Sequence, residues 1–460
     1  MVSIKLMAML GLLAGLLDAS TQPLDGVWRS QGWGYVFQIQ GTSWQAFEVT
    51  STTCVVGYTA KRQPGETAGR EATFRTREGE VFFIEADADD RHKRVVRPTE
   101  LTSLAMERLD KLPAVCAPPT ANTPLGNFDV FARTFAEHYI SFDLRKVDWE
   151  RAVAAQRTRI TSATTPAELF DILSGLIRPL ADIHTGLEAP KLKRVFDAPL
   201  RAGTDRVVRG DLNRFEKAGR AELAAVTNRA YLSGRVRSFC RGQWQYGVTE
   251  DHIGYLRILG FGDYSRHGRF EGDLRALHRA LDVILGDRAL RGLVIDVRLS
   301  FGGDDRLGLA IAGRLTTHDY MAYAIQGRSD GVEPSRYSQP QRITVRPGKQ
   351  PVFPGSVVEL TGPITMSAAE TFTQALMGRT PPVTRIGEST QGVFCDPLFR
   401  HLPNGWTFAL PNAVYRGPDG QAFDVRGIPP DLVVPVFADE DVAAGRDPGM
   451  EAALRALTRK

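Results

Sequence analysis

The stretch Ile364–Met377, ITMSAAETFTQALM, sets Ser367 ahead of two alanines and Glu370 and runs straight into an apolar helical pattern. A serine at the start of a helix meets unpaired backbone N–H groups and the positive end of the helix dipole. Its hydroxyl can attack a carbonyl there while those donors hold the developing oxyanion. The same place suits a serine whose oxygen only caps the helix. Attack needs a base to take the hydroxyl proton. No lysine lies between Lys349 and Lys460, so a local serine–lysine pair is excluded. Among the eight histidines, His184 in LADIHTG follows a helix terminator on a short polar loop, where a scaffold commonly presents functional groups. A solvated loop histidine would read the same way, and His401 in RHLPNGW is the reserve candidate.

Two further clusters could complete such chemistry. VIDVRLSFGGDD, residues 294–305, reads as a buried strand carrying Asp296 and Arg298 into Gly302–Gly303, a pair that lets backbone N–H groups approach a ligand or simply makes a turn. YRGPDGQAFDVRGIPPDL, residues 415–432, places Asp419, Asp424 and Asp431 in a turn-rich segment, and any of the three could orient a histidine or sit in solvent.

Elements must bring these pieces together. Short alternating runs from Gly26 to about Arg97 predict antiparallel strands of a small barrel or sandwich. LPAVCAPPTANTPLG breaks the pattern. Phe128, Phe131, Phe135 and Tyr139 recur at helical spacing, and Thr165-Pro-Ala-Glu168 predicts a capped helix that ends at Pro179. From Ile253 strands and helices alternate, which implies a parallel or mixed sheet with crossovers. Strand ends in such sheets are where ligands sit, and SVVEL delivers Thr361–Ser367 to that rim. The expected organisation is a signal peptide at 1–20, a β-rich domain at 21–118, a helical subdomain with the histidine loop at 119–190, a connecting segment without clear period at 191–250, an α/β core at 251–435 and a tail or helix at 436–460.

Composition narrows the classes. With 460 residues, 43% hydrophobic and 24% charged, the chain can bury more than one core. A net charge of +4 spread over single basic residues gives no stripe for nucleic acid. The apolar run Leu6–Leu17 after Lys5 predicts a secretory signal and falls short of the about 20 residues a membrane span needs. A secreted or periplasmic location and no membrane span after cleavage are therefore expected. Cysteines at 54, 116, 240 and 395 suit an oxidising compartment, with Cys54–Cys116 the expected pair and buried free thiols the alternative. No cysteine or histidine spacing suggests zinc, and no metal or organic cofactor is expected.

In this order, the loop Leu180–Thr185 (LADIHT), IGYLRI, DVRLSFGG, TMSAAE, IGESTQG and DG…D…GIPPD resemble the superfamily of carboxyl-terminal processing (tail-specific) proteases and the tricorn protease core. The likeness spans roughly 124–435. It implies a ClpP/crotonase-like α/β (α+β) core with a helical subdomain in front of it, after the small all-β domain, and a serine-type peptidase acting on a peptide or protein. It also implies Ser367 as nucleophile, the N–H groups of Gly303 and Ala368 as oxyanion hole, and Asp182, Glu370 and Arg298 in support. Where the processing proteases carry a lysine base this chain has Val393, so the resemblance points to the tricorn-like branch with His184 as base. The matching glutamate of that branch is Asp424 here, and the serine before the histidine is Ile183. The competing expectation is an inactive scaffold that binds an apolar ligand or a protein partner.

Overall fold

The computed structural model describes residues 24–63, 71–86, 91–210, 212–329 and 336–458. The run expected to direct export lies outside the described residues. Two compact units divide the chain: residues up to 49 with 54–119, and residues 50–53 with 120 onward.

In the first unit β1 (Gly26–Ser30), β2 (Tyr35–Gln40), β3 (Ser43–Val49), β4 (Cys54–Arg62), β5 (Ala72–Thr76), β6 (Val81–Ala86), β7 (His92–Val96) and β8 (Ser103–Leu109) pair in chain order. Strand β8 returns antiparallel to β1, so the sheet closes as a barrel rather than a sandwich and leaves no open edge. Alternate residues fill it. Trp44 is buried and meets the edges of Phe37 and Phe74 at centroid distances of 5.0 and 5.2 Å, the geometry that aromatic quadrupoles favour. Cys54 and Cys116 form the expected disulfide, whereas Cys240 and Cys395 are buried free thiols.

The second unit opens with α1 (Pro124–His138), α2 (Phe142–Arg145), α3 (Trp149–Arg157) and α4 (Pro166–Ile177). The spaced aromatics Phe128, Phe131 and Phe135 are fully buried on α1, and Thr165 and Glu168 make the reciprocal capping box at the start of α4. The segment without readable period holds β9 (Gly186–Ala189), β10 (Arg194–Asp197), α5 (Asp205–Val208), α6 (Leu212–Arg214), α7 (Arg220–Tyr231), β11 (Arg237–Phe239) and β12 (Trp244–Val248). All but α7 are short, α7 buries only Leu223, Ala224, Val226 and Thr227, and a π turn at Phe215–Gly219 joins it to α6, so no single period shows through.

The remaining elements are β13 (Ile253–Ile258), α8 (Phe270–Leu285), β14 (Gly292–Asp296), α9 (Asp305–Gly313), β15 (Tyr320–Gly327), β16 (Gln341–Val345), β17 (Val357–Thr361), α10 (Ala368–Leu376), β18 (Thr384–Gly387), β19 (Pro397–His401), β20 (Thr407–Pro411), β21 (Ala413–Arg416), β22 (Leu432–Val433), α11 (Asp439–Ala443) and α12 (Pro448–Thr458). The main sheet runs β11-β12-β13-β14-β17-β18-β22, parallel from β13 onward. Every residue of β13, β14 and β17 is buried, which is why these strands read as continuous apolar runs. Smaller sheets, β10-β9-β20-β19 and β16-β15-β21, complete the unit.

Candidate active site

Ser367 joins the end of β17 to α10 in a conformation that serine rarely adopts. Its φ is 54° and its ψ −127°, and the Ala369 N–H donates to the Met366 carbonyl at 3.0 Å. That is the first corner of a type II′ turn, a position normally given to glycine. Backbone strain of about 1–3 kcal/mol accompanies such a residue. The side chain makes no capping hydrogen bond to the helix, so the N-cap reading does not account for it. Ser367 is partly exposed while the residues on either side are buried.

The Gly-Gly turn nests against this corner. Gly302 has φ +92°, and a Cβ placed there would lie 2.7 Å from the Met366 carbonyl oxygen, 2.7 Å from the Ser367 Cβ and 2.8 Å from the Ala368 nitrogen. Gly303, at φ +140°, is pressed instead against the Phe261 carbonyl. Phe261 pins the turn from β13, donating to Gly302 O at 2.8 Å and accepting from the Asp304 N–H at 2.7 Å. Both glycines are needed for different close approaches: Gly302 admits the serine corner and Gly303 the neighbouring backbone.

Glu370, three residues on, faces inward. Its carboxylate accepts the Gly392 and Val393 N–H groups at 2.7 Å each, together with the Thr390 hydroxyl. Burial pushes its pKa up to about 7 against the pull of those donors, and the nearby charge of Asp424 adds to the rise. The loop so held returns to the nucleophile, because the Val393 carbonyl accepts the Ser367 N–H at 3.0 Å.

His184 reaches the same loop. Its imidazole lies against the backbone of Cys395, two residues beyond Val393. Two residues span at most about 7 Å, so Ser367 and His184 are tied to points that close together. Burial lowers the His184 pKa, opposed by the charge of Asp182 and the Cys395 contact, so the ring is held neutral at neutral pH and able to accept a proton. Its Nδ1 is enclosed without a hydrogen-bond partner. The loop itself is fixed by Asp182: one carboxylate oxygen accepts the His184 N–H at 3.1 Å, and the other takes the Tyr139 hydroxyl at 2.9 Å and lies 3.1 Å from Arg145. Arg145 also donates to the carbonyls of Leu180 and Ala181 at 2.6 and 2.9 Å. Tyr139 and Arg145 were not legible as site residues, since nothing local marks either.

The three aspartates of the 415–432 segment part ways. Asp419 accepts the Gln421 N–H in an exposed turn, and Asp431 pairs with Arg385 at 2.6 Å. Asp424 is buried, and burial pushes its pKa up to about 7, the charge of Asp182 raising it and that of Arg145 lowering it. One of its oxygens is enclosed without a partner, and no hydrogen bond joins it to the His184 ring. Arg298 sits away from this group. It is pinned 2.8 Å from both Asp296 and Asp447, and so fastens the start of α12 to the end of β14. His401 ends β19. No group of three or more His, Cys, Asp and Glu side chains arranged to hold a metal ion occurs among the described residues.

Comparison with known proteins fits this arrangement. Residues 252–434 match the family model "Peptidase family S41", and residues 121–177 match "Tricorn protease C1 domain". No curated protein matches the chain. A solved structure of a putative peptidase from Parabacteroides merdae ATCC 43184 superposes with a TM-score of 0.59 at 23% identity, over 74% of this chain and 98% of that one. Mature CPAF complexed with lactacystin gives a TM-score of 0.51 at 12% identity, over 73% and 97%. At these identities the likeness is one of fold. No helix among the described residues is long and apolar enough to cross a membrane. The match of residues 252–434 to Peptidase family S41, behind a match of residues 121–177 to the tricorn C1 domain, supports a serine peptidase related to the processing proteases and tricorn.

Proposed function

We propose that the chain hydrolyses peptide bonds through an acyl-enzyme at Ser367, with His184 as general base. The observation that carries this reading is the Ser367 corner: a strained serine whose oxygen caps nothing, anchored to the loop that also anchors a neutral histidine. His184 takes the hydroxyl proton as Ser367 Oγ bonds to the substrate carbonyl carbon. The Ala368 and Gly303 N–H groups, which donate to no acceptor among the described residues, suit the resulting oxyanion. The C–N bond then breaks as the same imidazole protonates the amine, and water releases the acyl group by the reverse sequence. Asp424 supplies a carboxyl group near the Asp182–Arg145 pair for the imidazolium that forms in between. Substrates are peptides or proteins. Export to an oxidising compartment is supported by the Cys54–Cys116 bridge and by the apolar run at Leu6–Leu17; recovery of the protein from the cytoplasm with its first residue intact would count against it.

A fluorescent fluorophosphonate tests the chemistry directly. The expected result is an adduct on Ser367, absent in Ser367→Ala and slowed about 100-fold or more in His184→Ala. A folded wild-type protein that takes no label would make the scaffold a binding protein instead.

A further inference from the structure

The segment after β10 enters the site through one side chain. Arg201 Nη1 donates to the carbonyls of Val425 and Arg426 at 3.1 and 3.0 Å, and Nη2 donates to that of Thr390 at 3.0 Å. With its amide in the hydrogen-bonding orientation, Gln391 accepts the Arg201 N–H at 2.8 Å and donates to Thr204 and Pro363 at 3.0 and 2.6 Å. Arg201 therefore bridges two stretches of chain that are already laced together. The Val425 N–H donates to Gly392 O at 2.8 Å, and the Ile428 N–H donates to the Thr390 hydroxyl at 2.7 Å. One stretch, 390–393, is gripped by Glu370 and accepts the Ser367 N–H. The other carries Asp424, directly before Val425, which itself holds φ +67°.

We propose that Arg201 is a positioning residue of the peptidase site, a clasp that holds the 390–393 loop and the 424–428 turn in register and thereby sets Ser367 and Asp424 relative to each other. It touches no reacting group. A planar guanidinium presents several donors in a fixed fork and can satisfy three converging carbonyls; a lysine ammonium on a flexible stem reproduces the charge without the fork. The cation also lies close enough to Glu370 to favour its carboxylate, the form that grips the loop.

The proposal rests on Ser367 as nucleophile, and its test separates the two. Arg201→Ala and Arg201→Lys in the full chain are compared with wild type for fluorophosphonate labelling, for peptide kcat and KM, and for backbone hydrogen exchange. Labelling and kcat are expected to fall about tenfold or more in Arg201→Ala with KM within about threefold, since misplacement rather than lost binding is at issue. Arg201→Lys should recover little, and methylguanidinium should restore rate to the alanine variant alone. Exchange should rise only in peptides covering 388–396 and 421–430. Full activity in folded Arg201→Ala overturns the clasp, as does a loss that methylguanidinium cannot restore and that accompanies faster exchange throughout. A wild-type protein that takes no label sinks the peptidase reading, and the exchange pattern then decides the clasp: unchanged protection of those two stretches overturns it.

Discussion

At the scale of single residues the site depends on close approaches that one added carbon disrupts. Gly302→Ala would force a methyl group to 2.7–2.8 Å from three atoms of the Ser367 corner, at a φ of +92° that alanine resists. Because these atoms frame the proposed oxyanion position, kcat is expected to fall by about 100-fold, while the thermal midpoint drops only a few degrees. Steady-state kinetics beside a melting curve checks this, and activity near wild type would contradict it. The same scale sets the pH dependence. Burial places the His184 pKa below its ordinary value of 6.5, and only the neutral ring accepts a proton. The acid limb of kcat/KM should therefore fall below that value, and an inflection at or above it would show that another group is titrating. Ser367 and His184 were legible as candidates because each stands in a short motif of telling company. By spacing alone Asp424 was one of three equal aspartates; the resemblance singled it out, and burial sets it apart from Asp419 and Asp431. Arg201 was invisible, since its contact with Thr390 spans 189 positions.

Elements explain why a strained serine persists. Helix α10 is buried on every side, and its polar residues turn inward: Thr373 donates to Glu359 on β17 at 2.9 Å, and Glu370 binds the 390–393 loop. Glu370→Ala would leave two buried N–H groups and a hydroxyl without an acceptor, costing about 2–4 kcal/mol and freeing the loop that fixes Ser367. Glu370→Gln keeps the shape but can accept at only one oxygen, so a smaller loss is expected by denaturant unfolding; equal stability of all three proteins would refute the grip. These carboxyls also couple stability to pH. Burial raises Glu359 to about 8 from 4.5 and both Glu370 and Asp424 to about 7. A folded-state pKa above the unfolded one means that the stabilising contribution is complete below the unfolded value and disappears as pH rises through the folded one. The midpoint should thus decline from about pH 5 to about pH 9, and Glu359→Gln, which cannot ionise, should flatten part of that decline. An unchanged slope in the variant would show that Glu359 is not charged on alkaline titration. Helical periods revealed α1, α4 and α8, which each bury one face, and short apolar runs revealed the parallel strands, which are buried on both faces. They did not reveal α5 and α6, which are too short to set a period, or α7, which is as long as α4 but buries only Leu223, Ala224, Val226 and Thr227.

For the whole molecule, the two units draw their stability from different sources. The second buries an extended sheet under helices, and its carboxyl-terminal helix is tied in by the ion pairs of Arg298 with Asp296 and Asp447. There the arginine holds Asp296 well below the usual carboxylate range, so this contribution is lost only when pH falls through acidic values. The first unit is a barrel of short strands with one aromatic core, a size at which a cross-link matters. Its disulfide joins residues 62 positions apart, and closing a loop of that length in the unfolded chain is worth about 4 kcal/mol. Both cysteines belong to the barrel unit. Replacing both by serine should therefore lower the barrel's unfolding transition, read as proteolytic cuts that appear within 26–109 on mild heating. The second unit should keep its own transition and its protection, with Ser367 still reactive. Cuts spread evenly through both units would mean that they unfold as one, and the division of stability argued from the cross-link and the ion pairs would be wrong.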